Sequence, residues 1–245
     1  MTGAVDDHQV AATAARLAGD ALLELRAAGA TGAEGDRRAD DLILGFLREH
    51  RPHDAILSEE SKDDPARLTA DRVWIVDPLD GTREFGEEGR TDWAVHVALV
   101  DGEGVPVAAA VALPAQGVVL STADPPALAP AAGGPVRILV SRTRPPALAT
   151  ALAEALDGTL VPMGSAGAKT MAVVQGAADV YAHGGGQYEW DSAAPVGVAR
   201  AAGCHCSRLD GSPLRYNRPD PYLPDLLVCR PELAGRVLAA VAEVG

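Results

Sequence analysis

The sequence predicts a layered α/β fold of the α+β kind, on three observations. Helix-period apolar spacing opens the chain, short strand-like runs fill its next third, and helices and strands alternate beyond a stretch rich in proline, alanine and glycine. With 245 residues and 47% apolar side chains, the chain has ample material for a packed core.

From Asp7 to Ala28 the residues Val10, Ala14, Leu17, Ala21, Leu22 and Leu25 fall near helical spacing, which predicts an amphipathic helix ended by Gly29 and the glycines of 31–35. A second helix is expected from about Asp36, with Leu42, Phe46 and Leu47 inward and Pro52 just beyond its end. These two helices are expected to cover one sheet. Ala55 to Leu57 and Val73 to Val76 read as buried strands. Trp93, Val95, Val97 and Leu99 alternate with period two, and Val105 to Leu113 and Gly117 to Leu120 continue as antiparallel strands. The segment 123–135 has neither period and reads as a linker between an N-terminal half, 1–122, and a C-terminal half, 136–245. Strands are expected there at Val136 to Val140, Leu160 to Val161, Val180 to Ala182, Cys204 to Ser207 and Leu226 to Cys229. Helices are expected at Pro146 to Leu156, Ser165 to Gln175, Asp191 to Ala202 and Pro231 to Val244.

A net charge of -13 repels nucleic-acid backbones and anionic lipid, so polymeric nucleic acid and membrane are excluded as partners. A small phosphorylated substrate is not excluded, because cations held among carboxylates reverse the local potential. No apolar run of about 18 residues is present to span a bilayer. The N-terminus from Met1 to His8 lacks the basic start of a signal peptide, and three cysteines make no disulfide framework. The expected compartment is the cytoplasm.

Chemistry concentrates where strands end in carboxylates. Glu59 and Glu60 follow the first short strand, and Asp77 and Asp80 follow the second in Asp77-Pro78-Leu79-Asp80-Gly81-Thr82. Two aspartates there can hold hard cations, and backbone N–H groups at Gly81 and Thr82, opening a helix, can bind phosphate oxygens. Pro78 removes a donor and helps turn the Leu79 carbonyl toward a metal. All-oxygen ligands favour Mg²⁺ or Mn²⁺ over Zn²⁺. Alone, Asp-Pro-x-Asp-Gly reads equally as an ordinary turn; the Glu59-Glu60 pair and Trp190-Asp191 supply the further carboxylates that a site with two or more metals needs.

These three motifs, in this order, resemble the inositol monophosphatase-like, lithium-sensitive phosphatase superfamily, and the likeness runs on to Asp210-Gly211-Ser212-Pro213-Leu214-Arg215-Tyr216-Asn217. The resemblance implies an alternating α-β-α-β-α sandwich and an Mg²⁺-dependent phosphomonoesterase with two or three cations. It implies that Glu59, Asp77 and the Leu79 carbonyl hold one cation, and that Asp77, Asp80 and Asp191 hold another. Catalytic roles fall to Glu59, to Thr82 as partner of the attacking water, and to Asp36, although Gly32 and Ala33 replace the expected valine and threonine before it. Asp36 reads equally as the cap of the second helix. Glu60 reads as a residue behind the ligands.

Within the superfamily, Thr82-Arg83-Glu84-Phe85, Ser141-Arg142-Thr143-Arg144-Pro145 and Gly164-Ser165-x-x-x-Lys169 resemble the CysQ-type branch, which acts on 3′-phosphoadenosine 5′-phosphate in sulfur assimilation. Arg144 departs from that branch's histidine. The likeness implies substrate contacts from Gly81, Thr82, Arg142, Ser165, Lys169 and Asp191, and it leaves a homodimer open. Hydrolysis of inositol or fructose phosphates, and a catalytically silent nucleotide-binding protein, stand as alternatives. Gly164 to Thr170 is not a P-loop, because Ala168 precedes Lys169 where glycine is needed. Cys204-His205-Cys206 lacks a second pair of soft ligands for zinc.

Overall fold

The computed structural model describes residues 6–142 and 147–244. Arg144 and the expected helix start at Pro146 lie outside the described residues, as do the first five residues. In chain order the elements are α1 (Asp7–Ala27), α2 (Gly32–His50), β1 (Ala55–Ser58), β2 (Arg72–Asp80), α3 (Thr82–Gly86), β3 (Ala94–Asp101), β4 (Pro106–Leu113) and β5 (Val118–Ser121). The chain continues through β6 (Val136–Ser141), α4 (Ala147–Leu156), β7 (Gly158–Met163), α5 (Ala166–Val174), β8 (Val180–His183), β9 (Gln187–Tyr188) and α6 (Glu189–Ala201). It closes with β10 (His205–Ser207), β11 (Tyr222–Leu223), β12 (Leu226–Cys229) and α7 (Ala234–Val244).

One five-stranded sheet runs β1-β2-β3-β4-β5, with β1 and β2 parallel and the rest antiparallel. The second runs β10-β12-β8-β6-β7, parallel only across β8, β6 and β7. Both faces of β3 are buried, because odd residues Val95, Val97 and Leu99 pack under α1 and α2 while Ala94, Ala98 and Val100 pack toward α5 and α6. The far side of α5 meets the second sheet, whose outer face is covered by α4 and α7. The layers are therefore α-β-α-β-α, the predicted architecture.

Three expectations about faces and boundaries are corrected. In α1 the buried stripe is Val10, Ala11, Ala14, Ala15, Ala18, Gly19 and Leu22, and Leu17 is exposed, because a helix lying flat on a sheet buries its small residues. Helix α2 begins at Gly32 under a Thr31–Glu34 capping box, four residues before Asp36. Its inner face is Asp36, Asp40, Ile43, Leu44 and Leu47; Leu42 and Phe46 are only half-buried. Asp40 turns inward because Ser58 Oγ and Ser61 Oγ donate to its carboxylate at 2.5 and 2.9 Å. The β9–β11 ribbon was not expected: two residues carry no period.

Buried polar links tie the halves together. Arg67, 1% exposed, donates to Asp63 at 2.6 and 3.0 Å, to Asn217 Oδ1 at 2.8 Å and to the Arg218 carbonyl at 3.0 Å. Asn217, at φ 59, and Arg218 donate their backbone N–H groups to Glu189 at 2.7 and 2.8 Å. The segment after β1 is thus fastened to the first turn of α6. Arg67→Ala is expected to cost about 2–4 kcal/mol, since it removes a fully buried side chain, leaving a cavity, together with its charge-assisted bonds to Asp63, Asn217 and Arg218. A urea midpoint that gives less than about 0.5 kcal/mol would contradict this.

Candidate active site

Residues three apart on a regular strand face opposite ways, yet Asp77 and Asp80 are needed together. The structure resolves this with a bulge. Asp77 pairs with His96 and Asp80 with Ala94, so three steps on β2 meet two on β3 around Pro78. Both aspartates then share the face of β2 that looks toward α5 and α6. The strand runs through Asp80, beyond the Val76 at which sequence reading ended it. Asp77 is 1% exposed and accepts from the Leu79 N–H at 3.1 Å. The Leu79 carbonyl accepts from Thr82 Oγ1 at 3.1 Å and keeps its second lone pair.

Gly81 caps the five-residue α3 at φ 90, which favours glycine, and a Cβ there would crowd Ser165 and Trp93 at 3.2 Å. Such a short helix has little dipole, so the N–H groups of Gly81 and Thr82, rather than a long helix, are what this turn offers an anion. Asp36 is 8% exposed and lies within α2, not at its cap, with Oδ2 3.5 Å from Thr82 Oγ1. Gly32 stands where the valine is expected, and a Cβ there would lie 2.3 Å from Thr82 Cγ2, so the start of α2 approaches Thr82 this closely only with glycine; nothing in the structure explains Ala33 in place of the threonine.

From the other half, Ser165 caps α5 in a strained non-glycine conformation, φ 52 and ψ 132. Its Oγ donates to Asp80 Oδ2 at 2.5 Å, and the Gly167 N–H donates to the same oxygen at 2.7 Å. Asp80 Oδ1 has no such bond among the described residues. Asp191 lies in the first turn of α6, which begins two residues earlier than expected, and accepts from the Tyr188 N–H at 2.7 Å. Glu59 extends the parallel ladder by donating its N–H to the Val76 carbonyl at 3.2 Å. Glu59 is exposed, as is Glu60.

These carboxyls raise one another's pKa. Burial pushes Asp77 well above the usual range, reinforced by Asp80, Glu59 and Asp191. Glu59 is pushed up to about 7 by desolvation and then by Asp191, Asp80, Asp36 and Glu60. Asp191 rises to about 7 through burial and Asp80, against the Tyr188 N–H and Lys169. Asp36 rises to about 7 through burial and Glu60, eased by Thr82. The carboxylates offer the oxygen donors of a hard divalent-cation site, and among the described residues the ligand atoms of Asp77, Asp80 and His96 lie within 4.8 Å of one another.

His96 was missed by sequence reading. It is fully buried, and its ring nitrogens face the Trp190 carbonyl at 3.0 Å from Nδ1 and Asp80 Oδ2 at 3.3 Å from Nε2. Asp77 Oδ2 is 3.8 Å from Nδ1. Burial holds its pKa down. One histidine on an apolar strand has no motif; its strand register with Asp77 is the signal.

Beside the carboxylates, Gly81, Thr82, Arg83, Arg142, Ser165 and Lys169 line a cleft of about 260 Å³. Lys169 is 7% exposed, with Nζ 5.2 Å over the Tyr181 ring and 3.5 Å from the Met163 carbonyl. Burial lowers its pKa against the pull of Asp80, Glu84, Asp191 and Asp92. Arg142 spends Nε and Nη2 on Glu84 at 3.2 and 2.9 Å, and Nη2 on Glu87 at 2.8 Å. Among the described residues its Nη1 makes no bond.

Residues 9–126 and 135–245 match the inositol monophosphatase family. The chain belongs to that family. A 3′-phosphoadenosine 5′-phosphate phosphatase of Mycobacterium bovis is 55% identical to it over 239 residues, 92% of this chain and 90% of that one. The 3′(2′),5′-bisphosphate nucleotidase CysQ of Escherichia coli K12 is 32% identical over 233 residues, 85% of this chain and 93% of that one. The crystal structure of CysQ from Bacteroides thetaiotaomicron superposes with a TM-score of 0.79 at 28% identity, covering 91% of this chain and 97% of that one. The family and the acidic cluster together support divalent-cation binding. Among the described residues no helix is long and apolar enough to cross a membrane.

Carboxyls whose pKa is raised on folding bind more protons folded than unfolded, so stability falls as pH rises through that window. The metal-free protein is therefore expected to lose melting temperature from about pH 4.5 to about pH 7, the span between ordinary carboxyl values and those of Glu59, Asp36 and Asp191. Added Mg²⁺ should recover the loss, most strongly at the upper end. Melting curves in chelator that are flat or rising over this range would contradict the electrostatic picture.

Proposed function

We propose that this protein hydrolyses the 3′-phosphate of 3′-phosphoadenosine 5′-phosphate, releasing AMP and phosphate, with Mg²⁺ as its cation. The observation that carries the reading is the pairing of a carboxylate cluster, built from buried Asp77 and Asp80 out to Asp191 and exposed Glu59, with an adjoining cleft whose lining includes Arg83, Glu84, Arg142 and Lys169. A substrate with two phosphates can put one at each. The names carried by the mycobacterial and enterobacterial relatives agree with this substrate, and the resemblance to the CysQ-type branch implies a role in sulfur assimilation.

In this reading Glu59, Asp77 and the Leu79 carbonyl would hold one cation and Asp77, Asp80 and Asp191 a second, and the family resemblance implies that a third can join at Glu59. Mg²⁺, when bound, neutralises the phosphoryl oxygens and acidifies the attacking water. Thr82 Oγ1 would orient that water, and Asp36, with Oδ2 3.5 Å from Thr82 Oγ1, would take up its proton. The N–H groups of Gly81 and Thr82 hold the transferred phosphate. Lys169 and the free edge of Arg142 receive the second phosphate. Ser165 acts one step back, by fixing Asp80. Every residue named comes from one chain, so a homodimer is not required. Free Cys204, Cys206 and Cys229 agree with a cytoplasmic setting.

The test is phosphate release with Mg²⁺ from 3′-phosphoadenosine 5′-phosphate, inositol 1-phosphate and fructose 1,6-bisphosphate. A preference for the nucleotide above about 100-fold in kcat/KM, roughly 2.7 kcal/mol, is expected. Comparable values would make the protein a broad sugar and nucleotide phosphatase, and no release would make it a binding protein. Asp77→Asn should lower kcat at least about a thousandfold, roughly 4 kcal/mol. The same change removes a repelled buried charge, so the metal-free protein should melt no lower than the parent; near-normal turnover would refute Asp77 as a ligand.

A further inference from the structure

Asp80 and Asp191 come from different halves of the chain, yet the proposed second cation needs their separation fixed. Between them lies His96. Its ring stands on β3 directly across from Asp77 and reaches the backbone carbonyl of Trp190, one peptide before Asp191, while its other edge abuts Asp80 Oδ2. Among the described residues the Nε2 edge has no hydrogen-bond partner, and the ring is closed off from solvent. A buried polar edge left in this way marks a geometric requirement rather than packing alone.

The surroundings are cut to admit this ring. A Cβ on Gly167 would lie 2.0 Å from Nε2, so a larger residue at 167 would expel the imidazole. The Gly167 N–H also donates to Asp80 Oδ2, alongside Ser165 Oγ. Three contacts therefore converge on one oxygen of Asp80, from β3 and from the start of α5. The small neighbours Ala94 and Ala98 leave His96 the one long polar side chain on that face of β3.

We propose that His96 is a positioning residue, a strut that sets the distance between Asp80 and the first turn of α6 and so pre-forms the cation site shared by Asp80 and Asp191. This rests on the cation assignment above. The ring does not need to touch substrate or cation. It acts by holding two ligand-bearing segments apart at one ring's width, as residues behind metal ligands do elsewhere, where their loss weakens metal binding about 10–100-fold.

The test is calorimetric titration of Mg²⁺ into the metal-free protein and into His96→Leu and His96→Gln, with melting of each in chelator. His96→Leu fills similar space without a donor and should weaken Mg²⁺ binding about tenfold or more. His96→Gln can still donate to the Trp190 carbonyl and should fall between. Mg²⁺ binding by His96→Leu within about twofold of the parent overturns the strut, even if melting drops, because His96 then only fills the core. If His96→Leu does not fold, His96→Gln decides alone: a loss of about threefold supports the strut and unchanged binding overturns it. If the parent itself binds no Mg²⁺, the cation assignment fails before the strut is reached.

Discussion

Crowding Asp36, Glu59, Asp77, Asp80 and Asp191 around one cleft costs free energy, and the rest of this structure is arranged to bear that cost. Burial and mutual repulsion push Asp36, Glu59 and Asp191 up to about 7 and Asp77 well above its usual range. Lys169, the cation that interacts with Asp80 and Asp191, is itself disfavoured by burial. Such a cluster is tolerable in two states only: partly protonated, or neutralised by cations. The second state is the one a phosphatase uses, because cations that relieve the carboxylates also attract a phosphate that the chain's net charge of -13 would otherwise repel.

Rigidity follows from the same constraint. Repelling groups hold position only if the backbone leaves them no escape. The bulge at Pro78 turns Asp77 and Asp80 to one face, Ser165 and Gly167 pin one oxygen of Asp80, and the Tyr188 N–H pins Asp191. Behind these, Arg67, Asn217 and Glu189 lock α6 to the loop that follows β1. Strain at Ser165 sits where such strain is expected, on a residue whose position matters more than its comfort.

Much of this was legible before any coordinates. Strands ending in carboxylates, followed by glycine and threonine, gave the site, and the Glu59, Asp77 and Asp191 motifs gave the family, because metal chemistry restricts residue types at short spacing. What was not legible depends on register and on distant partners. Asp36 reads as a helix cap until the Thr31–Glu34 box is seen to start α2 earlier. The bond from the Ser165 hydroxyl to Asp80, 85 residues away in sequence, has no signature in the motif. His96 and Arg67 are silent because their partners lie 94 and 150 residues away. Leu17 fits the helical period yet is exposed, since α1 rests on the sheet through alanines.

The central claim is that cations replace protons in the acidic cluster. It is tested most directly by titrating Mg²⁺ into the metal-free protein near pH 7 in two buffers of different ionisation enthalpy. The account predicts at least about two Mg²⁺ per chain with net proton release, because groups titrating near neutrality must deprotonate to bind. Mg²⁺ binding with no proton release, or no Mg²⁺ binding, would contradict it.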